Sequence, residues 1–420
     1  MTAAPPSQSE AFDHGLSTRG LWILMGTIAA MTAFAPLATD LYLPAFPNLT
    51  DEFNTTDSAA QLTLTATFLG IMIGQLIFGP LSDSMGRRRL VVVMTLATIV
   101  ATLACALAPS IGFLTVARLA LGLTGGAGIV IGRAIAADIS KGPEAARFFS
   151  LLMSITMIAP LVGPVLGGAL LEWTDTWRAA FVFLTGFLVL LTIAVVFFVP
   201  ETLPPDRRHA GGLREIGAGA ALIFRDRVFM GYAITQVFAF ATLFAFLASS
   251  SFVFQDMFGF SVTAYSFTFS GIVLSILLAG MLNRRLLLTV DTRKLLVWSL
   301  GISTVAAIAL IPVMSVGDPH LWLLILGLIF VVGTRATIGA NAMALSMERS
   351  AYVGTASAII GAMSFGGALI ATPMLAVLPF DTGLTMVVVM AICSFFAWAC
   401  TVLMARESGV TNADADPSRA

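Results

Sequence analysis

Asp40 is the one carboxylate inside the first long apolar run of the chain, and Pro44 follows four residues later. Proline has no N–H, so the Asp40 carbonyl loses its helical donor and the backbone there is loosened. A carboxyl set in such a segment can take up and release a proton, which is the acid–base chemistry this sequence offers. The competing placement is an interfacial aspartate, since Asp40 comes 19 residues after the run begins at residue 21. Three arginines also lie within apolar runs: Arg118, Arg133 and Arg335. A guanidinium there is costly and needs a partner, a cavity or a route to the interface. Gly122, Gly125 and Gly126 follow Arg118 and favour close helix packing, which would turn that face inward. Asp138 and Glu348 close two other runs, where an interfacial or loop-pairing role competes with ligand binding. Arg335 is either a paired structural charge or a determinant of substrate choice.

A second constellation is aromatic. Phe238, Phe240, Phe244 and Phe246, with Gln236 among them and Phe252 and Phe254 beyond, could line an amphipathic cavity. Tyr42, Gln236, Phe240, Phe244 and Asn341 are the candidate lining; phenylalanine facing lipid is the alternative. An amide inside a bilayer needs a polar partner, which makes Gln236 the sharpest of these. Much other chemistry is disfavoured. His14, His209 and His320 lie in a tail or loops, and Cys105, Cys393 and Cys400 have no motif spacing. There is no clustered His, Cys, Asp or Glu and no phosphate loop, so no metal, cofactor or enzymatic activity is expected.

These residues are carried by a chain of 420 residues, 58% hydrophobic and 11% charged. Crossing a bilayer takes about 20 apolar residues per helix. Runs of that kind fall at 21–43, 60–81, 90–108, 111–137, 149–171, 179–199, 229–254, 263–282, 295–316, 321–344, 352–378 and 384–405, which predicts an all-α membrane protein with twelve spans. With the N-terminus in the cytoplasm, alternate gaps collect eighteen of the 22 Lys and Arg residues, and only Arg178 falls outside. That asymmetry predicts both termini inside. All six tryptophans lie near span ends, as an interfacial belt would have them. A net charge of −1 argues against a nucleic-acid surface. The first run is too long for a cleaved signal peptide.

A Pro-, Gly- and Arg-rich connector, 200–228, separates two six-helix halves, 1–199 (with residues 1–18 a polar tail) and 229–405, and 406–420 form a second tail. GGAL recurs 199 residues on, from 167 to 366. The basic cluster at Arg87 returns at Arg284, and Arg133-Ala134 returns at Arg335-Ala336. Near-equal offsets between topologically equivalent spans suggest two like halves around a central pathway.

The loop GPLSDSMGRRRL (79–90) has Gly79 and Pro80 to end a helix, Gly86 to turn, and Asp83 to pair with an arginine or cap the next helix. It resembles the signature G-x-x-x-D-x-x-G-R-R of the major facilitator superfamily. The resemblance implies that Gly79, Asp83, Gly86, Arg87 and Arg88 form a cytoplasmic latch loop, with Asp83 and Arg87 the latching charges. Arg118-x-x-x-Gly122 resembles that family's fourth-helix motif, whose arginine is associated with proton coupling. Gly163-Pro164-x-x-Gly167-Gly168 resembles the motif of its drug-exporting antiporters. The strings ATDLYLPAFP (38–47), QLTLTATFLGIMIGQLIFGPLSD (61–83), PETLPP (200–205), NAMA (341–344) and GTAS (354–357) resemble the Bcr/CflA group, over essentially 20–405. Some drug-exporting relatives carry a second acid two turns before Asp40; Thr32 stands there here. The resemblance implies a monomer in the bacterial plasma membrane that exports small, mostly apolar toxic compounds in exchange for protons. Export of an endogenous metabolite is the alternative, and a membrane enzyme or receptor is the remote one.

Overall fold

The computed structural model describes residues 18–139, 142–204, 208, 225–317, 319–348 and 353–404. Both tails and most of the connector lie outside them, and with these His14, Lys141, Arg207, His209, Arg214, Arg349, Arg406 and Arg419. Among the described residues the regular secondary structure is helical. Twelve helices among them are long and apolar enough to cross a membrane: Gly20–Phe53, Asp57–Met85, Arg87–Ala106, Ile111–Ile139, Ile155–Thr174, Arg178–Phe198, Arg227–Met257, Val262–Leu286, Thr292–Met314, Leu321–Met347, Ile359–Val377 and Thr382–Leu403. They are numbered here as spans one to twelve.

Three spans are interrupted. Span one stops being α-helical at Asp40, turns through Leu43–Ala45 and resumes as Phe46–Phe53, so it runs ten residues past the apolar stretch that marked it. Pro44 sits inside that turn, where its missing N–H costs nothing. Span ten breaks between Leu321–Gly333 and Arg335–Met347, and span eleven between Val353–Phe365 and Gly367–Val377.

Chain contacts group the molecule into two compact units. One comprises Met1–Gly212 with Ser261–Ser270, and the other Leu213–Phe260 with Gly271–Ala420. Within the first, spans two and four approach backbone to backbone. A Cβ on Gly70, Gly74 or Gly122 would overlap main-chain atoms of Leu119, Leu123 or Thr67 respectively. Lipid offers no hydrophobic drive between helices, so glycines four apart on both partners supply the contact area instead. In the second unit, Gly367 of span eleven meets the Val237 carbonyl of span seven in the same way.

The tryptophan belt has an exception. Trp22, Trp173, Trp298 and Trp322 are exposed, but Trp177 is buried. Its indole N–H donates to Glu52 at 2.5 Å and its ring packs on Phe53 and Phe181. Arg178 pairs with the same Glu52, donates to the Ala108 carbonyl at 3.0 Å and stacks over Trp177. A carboxylate on the short helix beyond Asp40 draws the indole inward, and sequence position could not reveal that partner.

Candidate functional site

Asp40 is 4% exposed, at the last helical residue of Thr18–Asp40. It is therefore a carboxyl buried inside the protein. Thr39 Oγ1 lies 3.2 Å from its Oδ1 and 2.8 Å from the Pro36 carbonyl, so one hydroxyl proton is shared between two acceptors. The last regular helical bond runs from the Leu41 N–H to the Leu37 carbonyl. The next carbonyl, of Ala38, accepts Arg118 NH1 at 3.0 Å.

Arg118 is completely buried, so it does not snorkel. Its guanidinium lies 4.6 Å from the Tyr42 ring centroid and 5.6 Å from that of Phe181. Nε and NH2 have no hydrogen-bond partner. Among the described residues no ion pair joins Arg118 to Asp40. The cation is held by a carbonyl and two aromatic faces, two residues along the chain from the acid. Tyr42 is fully buried too. Thr63 gives its hydroxyl proton to the Ala60 carbonyl at 2.6 Å, so the Tyr42 hydroxyl donates to Thr63 at 2.9 Å. Tyr42 thus packs inside the first unit as a shelf for Arg118.

Span five closes against this break. A Cβ on Gly163 would stand 3.1 Å from the Asp40 Cβ, and one on Gly167 would overlap the Leu41 carbonyl. On Gly168 it would strike Ser266, which belongs to the same unit. Pro164 lies between these glycines and removes a backbone donor at the closest approach. Thr32, one face further along span one, is buried and donates to the Ile28 carbonyl at 2.9 Å.

At the Arg87 end of the first unit, Gly86 adopts φ +93° and separates spans two and three. Asp83 pairs with Arg87 at 2.5 Å, and Arg87 Nε reaches Asp138 at 3.1 Å. Of the two roles open to Asp83, the structure has the pairing. The helix beginning at Arg87 lacks a side-chain cap from its own N-cap residue; Glu201 accepts the Arg87 N–H at 2.9 Å instead, a carboxylate at a helix N-terminus. Thr202 donates to Asp138 at 3.0 Å, Arg208 lies 3.6 Å from Glu201, and Arg88 donates to the Val196 carbonyl at 2.8 Å. Gly79 packs against Val130. Glu201 and Thr202 were missed as working residues, although the PETLPP string that contains them was visible.

In the second unit Gln236 is buried and its amide is used at both ends. Nε2 donates to the Gly339 carbonyl at 2.8 Å, and Oε1 accepts Arg335 NH1 at 3.0 Å. Phe240 lies 5.9 Å from that guanidinium and packs edge-on against Phe365. Phe244 is fully buried. Asn341 forms a reciprocal amide pair with Asn283, at 3.1 and 3.2 Å, joining spans ten and eight. So Gln236 and Phe240 meet at Arg335, whereas Asn341 and Phe244 pack elsewhere in the unit. Arg133, the counterpart of Arg335 by sequence offset, is half-buried with Nε unpartnered.

A family model described as the Major Facilitator Superfamily matches residues 28–372. The chain belongs to this superfamily. One relative, an uncharacterized MFS-type transporter, YdgK, of Bacillus subtilis, is 34% identical over 367 residues, covering 86% of this chain and 90% of its own. The bicyclomycin resistance protein homolog of Haemophilus influenzae is 28% identical over 377 residues, covering 89% and 94%. A solved D-xylose-proton symporter matches with a TM-score of 0.73 over 90% of this chain and 97% of its own, at 16% identity, a likeness of fold. Twelve spans and these relatives make this superfamily member a multi-pass protein of the bacterial plasma membrane. Its described residues contain no group of His, Cys, Asp or Glu arranged to hold a metal.

Proposed function

We propose that this chain is a secondary transporter, and not an enzyme, that exports small, mostly apolar toxic compounds in exchange for protons. The observation that carries the reading is Asp40: a buried carboxyl at a helix break, covered by span-five glycines, with Arg118, which no carboxylate neutralises among the described residues, bonded to the carbonyl two residues before it. Protonated, Asp40 is neutral and suits its surroundings. Once its proton leaves, the carboxylate needs a cation, and Arg118 holds the Ala38 carbonyl by a single bond that it could exchange for Asp40. Proton occupancy would thereby be coupled to the geometry of the span-one break. The bicyclomycin resistance name of one relative supports drugs as cargo.

The charge asymmetry of the loops supports cytoplasmic termini, which puts the Asp83–Arg87–Asp138 network on the cytoplasmic face as a latch. Two like halves are supported by a pair of small cavities on corresponding spans. One lies among Phe34, Thr98 and Gly125 on spans one, three and four; the other lies among Thr242, Ser303 and Arg335 on spans seven, nine and ten. We read the chain as 1–199 and 229–405 joined by a cytoplasmic connector, working as a monomer. The test uses inverted membrane vesicles with an established pH gradient. A compound to which the protein confers resistance should partly collapse the gradient when added. If none does so, the exchange mechanism is wrong.

A further inference from the structure

Arg335 is a charged side chain set within a span of the second unit, half-buried and without a counter-charge. Among the described residues no carboxylate lies within ion-pair distance of it. Among the described residues its side-chain hydrogen-bond partner, Gln236, is a neutral amide that satisfies a single N–H of the five a guanidinium carries. That amide is fixed, because its Nε2 is committed to the Gly339 carbonyl and its oxygen must therefore face the arginine. Gly339 itself makes the room: a Cβ there would stand 2.8 Å from Arg335 NH1. Phe240 covers one side of the cation at 5.9 Å. The adjoining cavity, walled by Thr242, Ser303 and Ser394, offers about 10 Å³, enough for about one water and too small for an anion. The residue nevertheless keeps accessible surface, and Nε and NH2 are not among the sealed, unpartnered atoms. A cation fixed in orientation, desolvated on two sides and open on the remainder, in the middle of a span, is built to receive negative charge.

We propose that Arg335 is the recognition point for an anionic group, a carboxylate or sulfonate, on an otherwise apolar compound. Gln236 aims the guanidinium, and Phe240 with Phe365 supplies an aromatic wall beside it. The proposal rests on the export reading only in calling that compound cargo.

The test compares tritiated 1-naphthaleneacetate with 1-naphthaleneacetamide, which share a ring system and differ by one charge. Binding is measured on the purified full chain in lipid nanodiscs. Charge-assisted pairing predicts that the acid binds at least about tenfold more tightly than the amide. Arg335→Gln should abolish that preference, the acid then binding no more tightly than the amide. Arg335→Lys, which keeps the charge, should retain a preference for the acid, and it serves where Arg335→Gln does not fold. Equal binding of acid and amide to the wild type overturns the proposal, as does no acid binding at millimolar concentration, or a preference that survives Arg335→Gln. Chloride protecting the protein from thermal unfolding as well as the acid does would make this an inorganic-ion site, which also overturns it. No gradient enters the measurement. Failure of drug–proton exchange would leave a positive result standing, and equal binding of the two probes would leave the exchange mechanism untouched.

Discussion

Arg118 and Arg335 both lie within membrane spans, yet their surroundings differ in kind. Arg118 is 0% exposed, its guanidinium over the rings of Tyr42 and Phe181 and one N–H on a main-chain carbonyl. Arg335 keeps accessible surface and meets one side-chain amide and the Phe240 ring at 5.9 Å. A sealed cation can only rearrange internally, by changing which acceptor it holds. A partly open one can bind something that arrives. The same residue type within a span thus suits two jobs, and the difference lies in what covers it.

The largest expected effect concerns the acid beside Arg118. Asp40→Asn fixes a neutral side chain of nearly the same shape, so the cycle should stall while cargo still binds. Purified protein in weak buffer should release protons when drug is added, and Asp40→Asn should release none and confer no resistance. Asp40→Glu should keep part of both. Undiminished release in Asp40→Asn would move the proton site elsewhere, with Asp138 next in line, and would dissolve the distinction drawn for Arg118.

A smaller effect separates the two arginines directly. Lysine lacks the planar group that Arg118 lays over the Tyr42 ring, so Arg118→Lys should cost about 2 kcal/mol of stability. Arg335→Lys loses one amide contact and should cost less than about 1 kcal/mol. Thermal melting of both variants in nanodiscs checks the order, and equal losses would break the comparison. The smallest effect concerns the ion pairs of Arg87. Asp83→Asn removes one partner of Arg87 but leaves Asp138 in place, so transport should slow while drug affinity stays within about threefold, under about 0.7 kcal/mol. A large affinity loss with normal cycling would rule out the latch.

Legibility in the sequence tracked the range of the forces involved. The twelve spans were visible because bilayer thickness imposes a minimum apolar length on each helix separately. The break at Asp40 was visible because Pro44 acts on its own backbone. Glu201 capping the helix that starts at Arg87, and Glu52 drawing Trp177 inward, were not visible. Each joins residues more than a hundred positions apart. Tyr42 is named in the candidate cavity lining, but its hydroxyl is committed to Thr63 and its ring to Arg118.

What the sequence determined by itself was therefore everything that one helix decides alone: how many spans, where their prolines and glycines weaken or thin them, and which carry a charge at depth. What the tertiary structure decided was the use of those charges. A guanidinium in a span must be satisfied from neighbouring helices, and helix packing chooses between a carbonyl with two aromatic faces at Arg118 and a single fixed amide at Arg335. The charged side chain is the same in both cases; the packing of other spans determines whether the charge is closed in or keeps accessible surface.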